Sequence, residues 1–459
     1  MTFTMDDAST SRFKVIIIGA GLSGSLLANG LENSGIDYTV YERDRADTTR
    51  TGFQIRMGGP ALEGMRTCLT KPDLNRIVSR FGRAGGRKAV VPNLLDRDFR
   101  PVLDLSPFKN YTKSAGISRV VLRDEMLRPI RHTGRIVYER KLERLEIVQK
   151  GEIERVKVIF EGGQTDEADV VIGADGNHSK INKQLGLGNI APLDTHYHFI
   201  SKSDVSLETI YKLPQTLLNG PNLAFSDDLS LYFTVYLPDD DAPASDIAKT
   251  AQCMFGLFVP VSSVPKDPEL LSAEEKRRIL RRSLERWAPA FTQMLETVSD
   301  ADPYVYTSHV SERPPLDWRA RARKSDLHDP VKGHPRIWLM GDAMHAMLPY
   351  RGMGGNQSML DAGCMLPHLQ RLATLKAQPS DQQVQEIQRE YESEMMKRTF
   401  AWVEKSGGRT IMPFDTANWW TSWAFAAFRP AFALYCAAYT LWTNVFGHEQ
   451  FIDDAPELK

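Results

Sequence analysis

Two glycine-rich turns, each set beside an acidic residue, are where this chain can do chemistry. Gly19-Ala20-Gly21-Leu22-Ser23-Gly24 follows a β-branched run, Val15 to Ile18, and a second apolar run, Tyr38 to Tyr41, ends on Glu42. That spacing predicts a strand, a helix and a strand with a pyrophosphate-binding turn at the first junction. Gly19 permits the tight turn, Gly21 lets backbone approach a phosphate, Gly24 lets helix and strand pack closely, and Glu42 can accept hydrogen bonds from a ribose diol. Far downstream, Ile337-Trp-Leu-Met-Gly341-Asp342 leads into Pro349, Gly352, Gly354, Gly355 and Asn356. Asp342 is expected at a strand's carboxyl end, where it can bind a polyol hydroxyl. Asn356 is expected to begin a helix whose amide groups favour negative charge nearby.

The elements that must hold these residues follow from periodicity. Ala61 to Leu69 and Val120 to Ile130 have helical spacing, and Thr51 to Ile55 reads as a short strand. Ile136 to Val148 and Glu152 to Phe160 read as paired strands ahead of Asp169-Val-Val-Ile-Gly-Ala-Asp175-Gly176. From about 192 to 264 the pattern alternates with aromatics, as in Leu229-Ser-Leu-Tyr-Phe-Thr-Val-Tyr236, which predicts an antiparallel sheet with one buried face. Ser272 to Leu295 reads as one helix. Residues 82 to 88, GRAGGRK, read as a solvated basic turn, and the basic run from Arg313 to Lys324 as a solvated face. The apolar stretch 419–447 is interrupted at Arg429-Pro430. It reads as a buried or partly membrane-facing helical pair, giving at most weak membrane association, rather than a span.

The chain has 459 residues, 42% hydrophobic and 25% charged, with 57 Lys plus Arg against 58 Asp plus Glu. Such a balance argues against a nucleic-acid partner. The four cysteines, Cys68, Cys253, Cys364 and Cys436, form no CxxC, so neither a dithiol pair nor a zinc knuckle is signalled and a reducing, cytoplasmic setting is expected. The polar N-terminus carries no secretory pattern. His196 and His198 fall on one face of a strand, without further residues spaced as metal ligands; sheet histidines satisfied by neighbours are the expectation, and no metal is expected.

The third and richest motif, GDAMHAMLPYRGMGGNQSMLDA, resembles the flavin-binding motif of the class A flavoprotein monooxygenases. This family is typified by para-hydroxybenzoate hydroxylase and includes tetracycline-inactivating and fungal secondary-metabolite enzymes. Ile172-Gly-Ala-Asp175-Gly176 resembles its middle motif, and Arg119 with Leu122 resembles the helix whose Arg touches FAD. The matches run in order across about residues 13 to 406. The resemblance implies an α/β fold with a Rossmann-like, glutathione-reductase-like FAD-binding domain, an inserted antiparallel-sheet substrate domain and a helical C-terminus. The expected divisions are 1–190 (with an excursion at about 82–110), 191–300, 301–380 and 381–459.

By the same resemblance Gly19, Gly21, Gly24, Glu42 and Arg43 hold the ADP half of FAD, and Arg119 and Asp342 the ribityl and pyrophosphate region. Pro349, Gly352, Gly354, Gly355 and Asn356 line the ring, with Gln54 and Arg56 on its other side. Asp175 and Gly176 serve FAD and a transient NADPH or NADH. No catalytic side chain is implied. The implied reaction is NAD(P)H-dependent transfer of one oxygen atom from O2, through a flavin C4a-hydroperoxide, to an aromatic or polycyclic small molecule. The chain departs from the family pattern at Asn182, where Arg is usual, so that Lys180 or Lys183 would supply the charge. It departs also at Met344 and Met347 around His345, and at Pro367, expected to kink or shorten its helix. His345 itself reads as a packing residue behind the ring. A halogenase would carry a WxWxIP-like motif that this chain lacks. A flavin-binding protein without turnover and a membrane-associated isoprenoid epoxidase are the other readings.

Overall fold

The computed structural model describes residues 13–48, 54–82, 92–103, 114–218, 220–237, 250–375, 377–408, 415–416, 418–446 and 455–458. The basic turn at 83–88 and the start of the Thr51–Ile55 strand lie outside these.

The β-branched run forms the Lys14–Ile18 strand at the middle of a five-stranded parallel sheet. Its neighbours are Val170–Gly173 and Asp37–Tyr41, with Ile337–Leu339 and Ile136–Val137 at the edges. Val15, Ile16 and Ile17 are wholly buried, as a parallel sheet covered on both faces requires. Ile136 and Val137 thus belong to this sheet and not to the meander that follows. The meander comprises Leu142–Lys150, Ile153–Phe160 and Thr165–Ala168.

Helix Leu22–Asn33 packs beside Met353–Ala373, which crosses helix Gly59–Cys68 so closely that a Cβ on Gly64 would lie 2.1 Å from the Met359 carbonyl oxygen. Pro367 is accommodated inside the Met353–Ala373 helix without ending it.

A second, seven-stranded sheet runs in the order Tyr304–Tyr306, His196–Ser206, Thr250–Pro260, Leu229–Tyr236, Asn222–Ser226, Asn93–Leu95, Pro101–Leu103. All pairs are antiparallel except Asn222–Ser226 with Asn93–Leu95. Period-two patterning gives it two faces. Phe199, Phe233, Phe255 and Leu257 pack under Leu280, Trp287 and Phe291. Their alternates, His198, Tyr232, Gln252 and Phe258, face the other way. The covering helices are two, Ala273–Ser283 and Pro289–Glu296, rather than the single one expected. Pro289 cannot continue a preceding helix but suits the first turn of a new one.

Two more corrections concern the C-terminal half. Within the basic run 313–324, Arg319 is buried and donates through two guanidinium nitrogens to one Glu392 oxygen at 2.8 and 2.9 Å, so it is an internal tie and not part of a solvated face. The apolar stretch is one helix, Trp419–Phe446, with Pro430 inside it, because a helix this long can lose one backbone bond at a proline and keep the turns on both sides.

Candidate active site

The first glycine turn is built as a cradle. Gly19 has φ +107°, and a Cβ there would lie 2.4 Å from the Ala174 carbonyl oxygen; a Cβ on Gly24 would lie 2.1 Å from the Gly19 carbonyl oxygen. Both positions are closed by backbone. Gly21, which caps helix Leu22–Asn33 in an extended conformation, has no described heavy atom within 4 Å of its would-be Cβ, and neither do Gly176 and Gly352. Packed glycines therefore bend the loops, while open ones leave room for a group to lie against bare backbone.

Glu42 is buried and its carboxylate accepts from the Ala20 amide at 3.0 Å and the Asp44 amide at 3.1 Å. It ties the turn to the end of its neighbouring strand. Arg43 is exposed, 3.7 Å from Asp44. Arg123, which sequence reasoning missed, donates to the Ala20 carbonyl at 2.7 Å and lies 3.6 Å from Glu42. Its position four residues after Arg119 places both arginines on one helix face.

Burial pulls the Arg119 guanidinium below its ordinary pKa, and Asp342 and Glu42 pull the other way. The two glycine motifs therefore meet at one charged cleft. Asp342 has open surface yet is walled by protein, as a residue on the floor of a cleft would be. That enclosure raises its pKa, against the pull of His345 and Arg119.

Asn356 does not offer its side chain to a ligand. It is buried, accepts from the Gly58 amide at 2.8 Å and donates to the Arg56 and Gly352 carbonyls at 2.8 and 2.7 Å. Its role is to clamp strand Gln54–Gly58 onto the loop ending at Gly352, which carries φ +62°. Pro349 is exposed on that loop, and a Cβ on Gly354 or Gly355 would meet only Met347 at 3.6 Å or Met57 at 3.1 Å as its nearest neighbour. Arg56 donates to the Ser114 hydroxyl at 3.0 Å.

Behind the loop, fully buried Asp361 accepts from His345 Nε2 at 2.6 Å, the Gly341 amide at 2.8 Å and Arg398 at 2.9 Å. Burial would raise its pKa, but His345 and Arg398 outweigh that and hold it below the usual carboxylate range. His345 is thus a packing and hydrogen-bonding residue. Arg398 carried no sequence signal; it arrives on helix Asp381–Lys405.

The middle motif turns partly inward. Asp175 accepts the Lys180 amide at 2.9 Å, and its other oxygen is buried without a hydrogen-bond partner among the described residues. Burial raises its pKa. Asn182 is buried, donating to the Asn189 side chain at 2.9 Å and the Ala343 carbonyl at 2.8 Å. It braces the Asp342 loop, where an arginine would not fit unpaired. Lys180 donates to the Leu142 carbonyl at 2.9 Å, so its charge is spent on the meander.

The open face of the seven-stranded sheet closes the cleft. Gln252 accepts a hydrogen bond from Gln54, and the Tyr236 ring lies where a Cβ on Gly116 would stand. His198 stacks on Phe258 at 3.8 Å and pairs through Nδ1 with the Tyr306 hydroxyl at 2.8 Å; Tyr350 lies 4.9 Å from Phe258. Burial pushes His198 down to about 3 and raises Tyr232, Tyr306 and Tyr350 above ordinary phenols. All four stay neutral at physiological pH. Tyr306 was missed because its three-residue strand gives almost no periodic signal. Among the described residues no group of three or more His, Cys, Asp or Glu could hold a metal ion.

The FAD binding domain family matches residues 12–207 and 296–396, the segments that carry both glycine turns. The dual O-methyltransferase/FAD-dependent monooxygenase elcB of Phaeosphaeria nodorum is 24% identical over 456 residues, 88% of this chain; the chain spans about half of that protein's length, 47%. The 6-methylsalicylate 1-monooxygenase atA of Aspergillus terreus is 24% identical over 394 residues, 79% of this chain and 76% of its own. A crystal structure of a FAD-containing monooxygenase from Photorhabdus luminescens superposes with a TM-score of 0.67 at 19% identity, over 86% of this chain and 97% of that one.

Proposed function

The chain belongs to the FAD binding domain family, as a class A FAD-dependent monooxygenase, and from that membership we propose that it uses NADH or NADPH to place one oxygen atom from O2 on a flat, electron-rich aromatic or polycyclic small molecule. The observation that carries the substrate class is the cluster of neutral aromatic rings, Tyr232, Phe258, Tyr306 and Tyr350, gathered around His198 beside the turn that carries Pro349. The relative named for 6-methylsalicylate supports an aromatic substrate.

In this reading the residues hold FAD as follows. Gly19, Gly21 and Gly24 form the turn under the pyrophosphate, Glu42 and Arg43 take the ribose end, and Arg119 and Asp342 take the ribityl and phosphate region. Pro349, Gly352, Gly354 and Gly355 leave backbone open to the ring. Asn356, Gln54 and Arg56 fix that surface from behind, and Asp175 and Gly176 shape the approach used by the nicotinamide. Bound FAD, reduced by that nicotinamide, supplies the electrons that activate O2. The chain's own work is to bind, orient and exclude water. Tyr306, held by His198, can donate to or accept from a substrate oxygen and set the ring's orientation.

The test is anaerobic stopped-flow reduction of the yellow protein with NADPH and NADH across phenolic, indole-containing and prenylated compounds. Reduction accelerated by one compound class, followed by an oxygenated product on admitting O2, is expected. No reduction with either nicotinamide and any compound would sink the proposal in favour of a flavin-binding protein without turnover. With the substrate in hand, Tyr306→Phe is expected to raise its KM about tenfold, the worth of one hydrogen bond, with FAD affinity unchanged; equal loss of FAD would remove Tyr306 from the substrate side.

A further inference from the structure

The C-terminal helix Trp419–Phe446 is mounted with a broad arc of large apolar side chains outward. On a helix advancing about 100° per residue, Thr421, Phe425, Arg429 and Phe432 share one side. That side meets the protein: Arg429 donates to the Val102 carbonyl at 2.8 Å and to the Pro101 carbonyl on the edge strand, and Thr421, Phe425 and Phe432 are the half-covered residues. The opposite side carries Trp420, Trp423, Leu434 and Leu441, which are 65%, 70%, 72% and 65% exposed, with Ala427, Ala431 and Ala438 between them. An amphipathic helix normally turns its apolar arc to the core. Here that arc points away from the body.

We propose that this face is a docking surface for a phospholipid membrane, lying in the interface without crossing it. Three observations select this occupant. The exposed apolar arc covers about half the circumference, wider than the two-position seam of a helix pair, and no charged residue occurs between 430 and 447 to flank and register a partner helix. Tryptophan, the side chain suited to the headgroup level, supplies two of its four largest members.

Both ends of the helix are tied to the same body. Thr416 donates to the Phe225 carbonyl, while Glu457 pairs with Arg66 at 2.8 Å and Leu458 is buried in the core around the parallel sheet. Only eight residues, 447–454, separate Phe446 from Ala455. The nine Cα-to-Cα steps from Phe446 to Ala455 reach at most about 32 Å, too short to return across a bilayer of about 40 Å. Consistently, among the described residues no helix is long and apolar enough to cross a membrane.

Full-length holoprotein is to be sedimented with neutral phosphatidylcholine vesicles at low and high salt, with tryptophan quenching by brominated lipid as the second measurement. Binding that resists salt, quenching, and at least about a tenfold loss of partitioning in Trp423→Ser/Leu434→Ser/Leu441→Ser that still holds FAD are expected. Protein that stays in the supernatant unquenched overturns the proposal. So does a dimer in solution that leaves vesicles alone and is broken by the same triple substitution. Should the triple variant fail to fold, quenching of the unaltered chain decides alone.

Discussion

Gly24→Ala is expected to yield a protein that no longer retains FAD, whereas Gly21→Ala, three residues away, is expected to fold normally and lose only affinity. A Cβ at Gly24 meets the Gly19 carbonyl oxygen at 2.1 Å, far inside contact distance. That oxygen belongs to backbone pinned by the Gly19 amide's bond to the Tyr41 carbonyl at 2.8 Å. The turn must therefore open, and the geometry that would cradle a pyrophosphate goes with it. A loss of at least 100-fold in FAD affinity, about 2.8 kcal/mol, is expected. Gly21 has φ −75°, which any residue adopts, and open space where its Cβ would stand. Alanine there should leave the melting temperature of the cofactor-free protein within experimental error, because surface changes cost about 0.5 kcal/mol or less. It should weaken FAD about tenfold by standing where the phosphate approaches. Titration of apoprotein with FAD, followed by flavin fluorescence, separates the two; equal affinities would show that this turn is not the phosphate site.

The second large effect is on stability and falls on Asp361. Replacing it with Asn removes one of the two carboxylates that hold Arg398, leaving only the half-exposed Glu394 at 2.7 Å, and takes the charged acceptor from His345; losing such charged hydrogen bonds costs about 1.5–3 kcal/mol. Asp361→Leu combined with Arg398→Met should cost less than the sum of the single changes, because neither charge is then stranded. The pH dependence has a definite sign. Asp361 is held below its unfolded pKa of about 3.9. Its contribution is therefore present above that value and is lost as pH falls through the lower folded value. Thermal melts should show the unaltered protein losing more stability than Asp361→Asn below about pH 4. Parallel acid profiles, or strictly additive single changes, would mean that Asp361 and Arg398 do not act as a unit.

Sequence and structure divide along a physical line. The parallel-sheet core, the first glycine turn and the strand that leads to Asp342 were legible because their signals are local. β-branched runs, glycines at fixed spacing and an acid at a strand end act within a few residues of one another. The alternation of Leu229 to Tyr236 likewise announced a two-faced sheet. Local signals misjudged what depends on distant partners. Arg319 sits in a basic run yet is buried because Glu392 reaches it from another helix. Asn182 looked like a missing charge but is a buried brace. Asn356, expected beside the ring, spends its side chain on clamping strand Gln54–Gly58 to the Gly352 loop. Pro430 looked like a break in the C-terminal stretch and is carried within one helix.

What the sequence determined by itself was the cofactor-binding unit, because a phosphate turn is specified by backbone freedom at a few consecutive positions. What only the tertiary structure decided was which residues pair around the cleft and behind it: Arg123 with Glu42, Tyr306 with His198, Arg398 with Asp361. It also decided which way the last helix faces. Those pairings join residues tens to more than a hundred positions apart, and only the packing of separate elements brings such groups within hydrogen-bonding or ion-pairing distance.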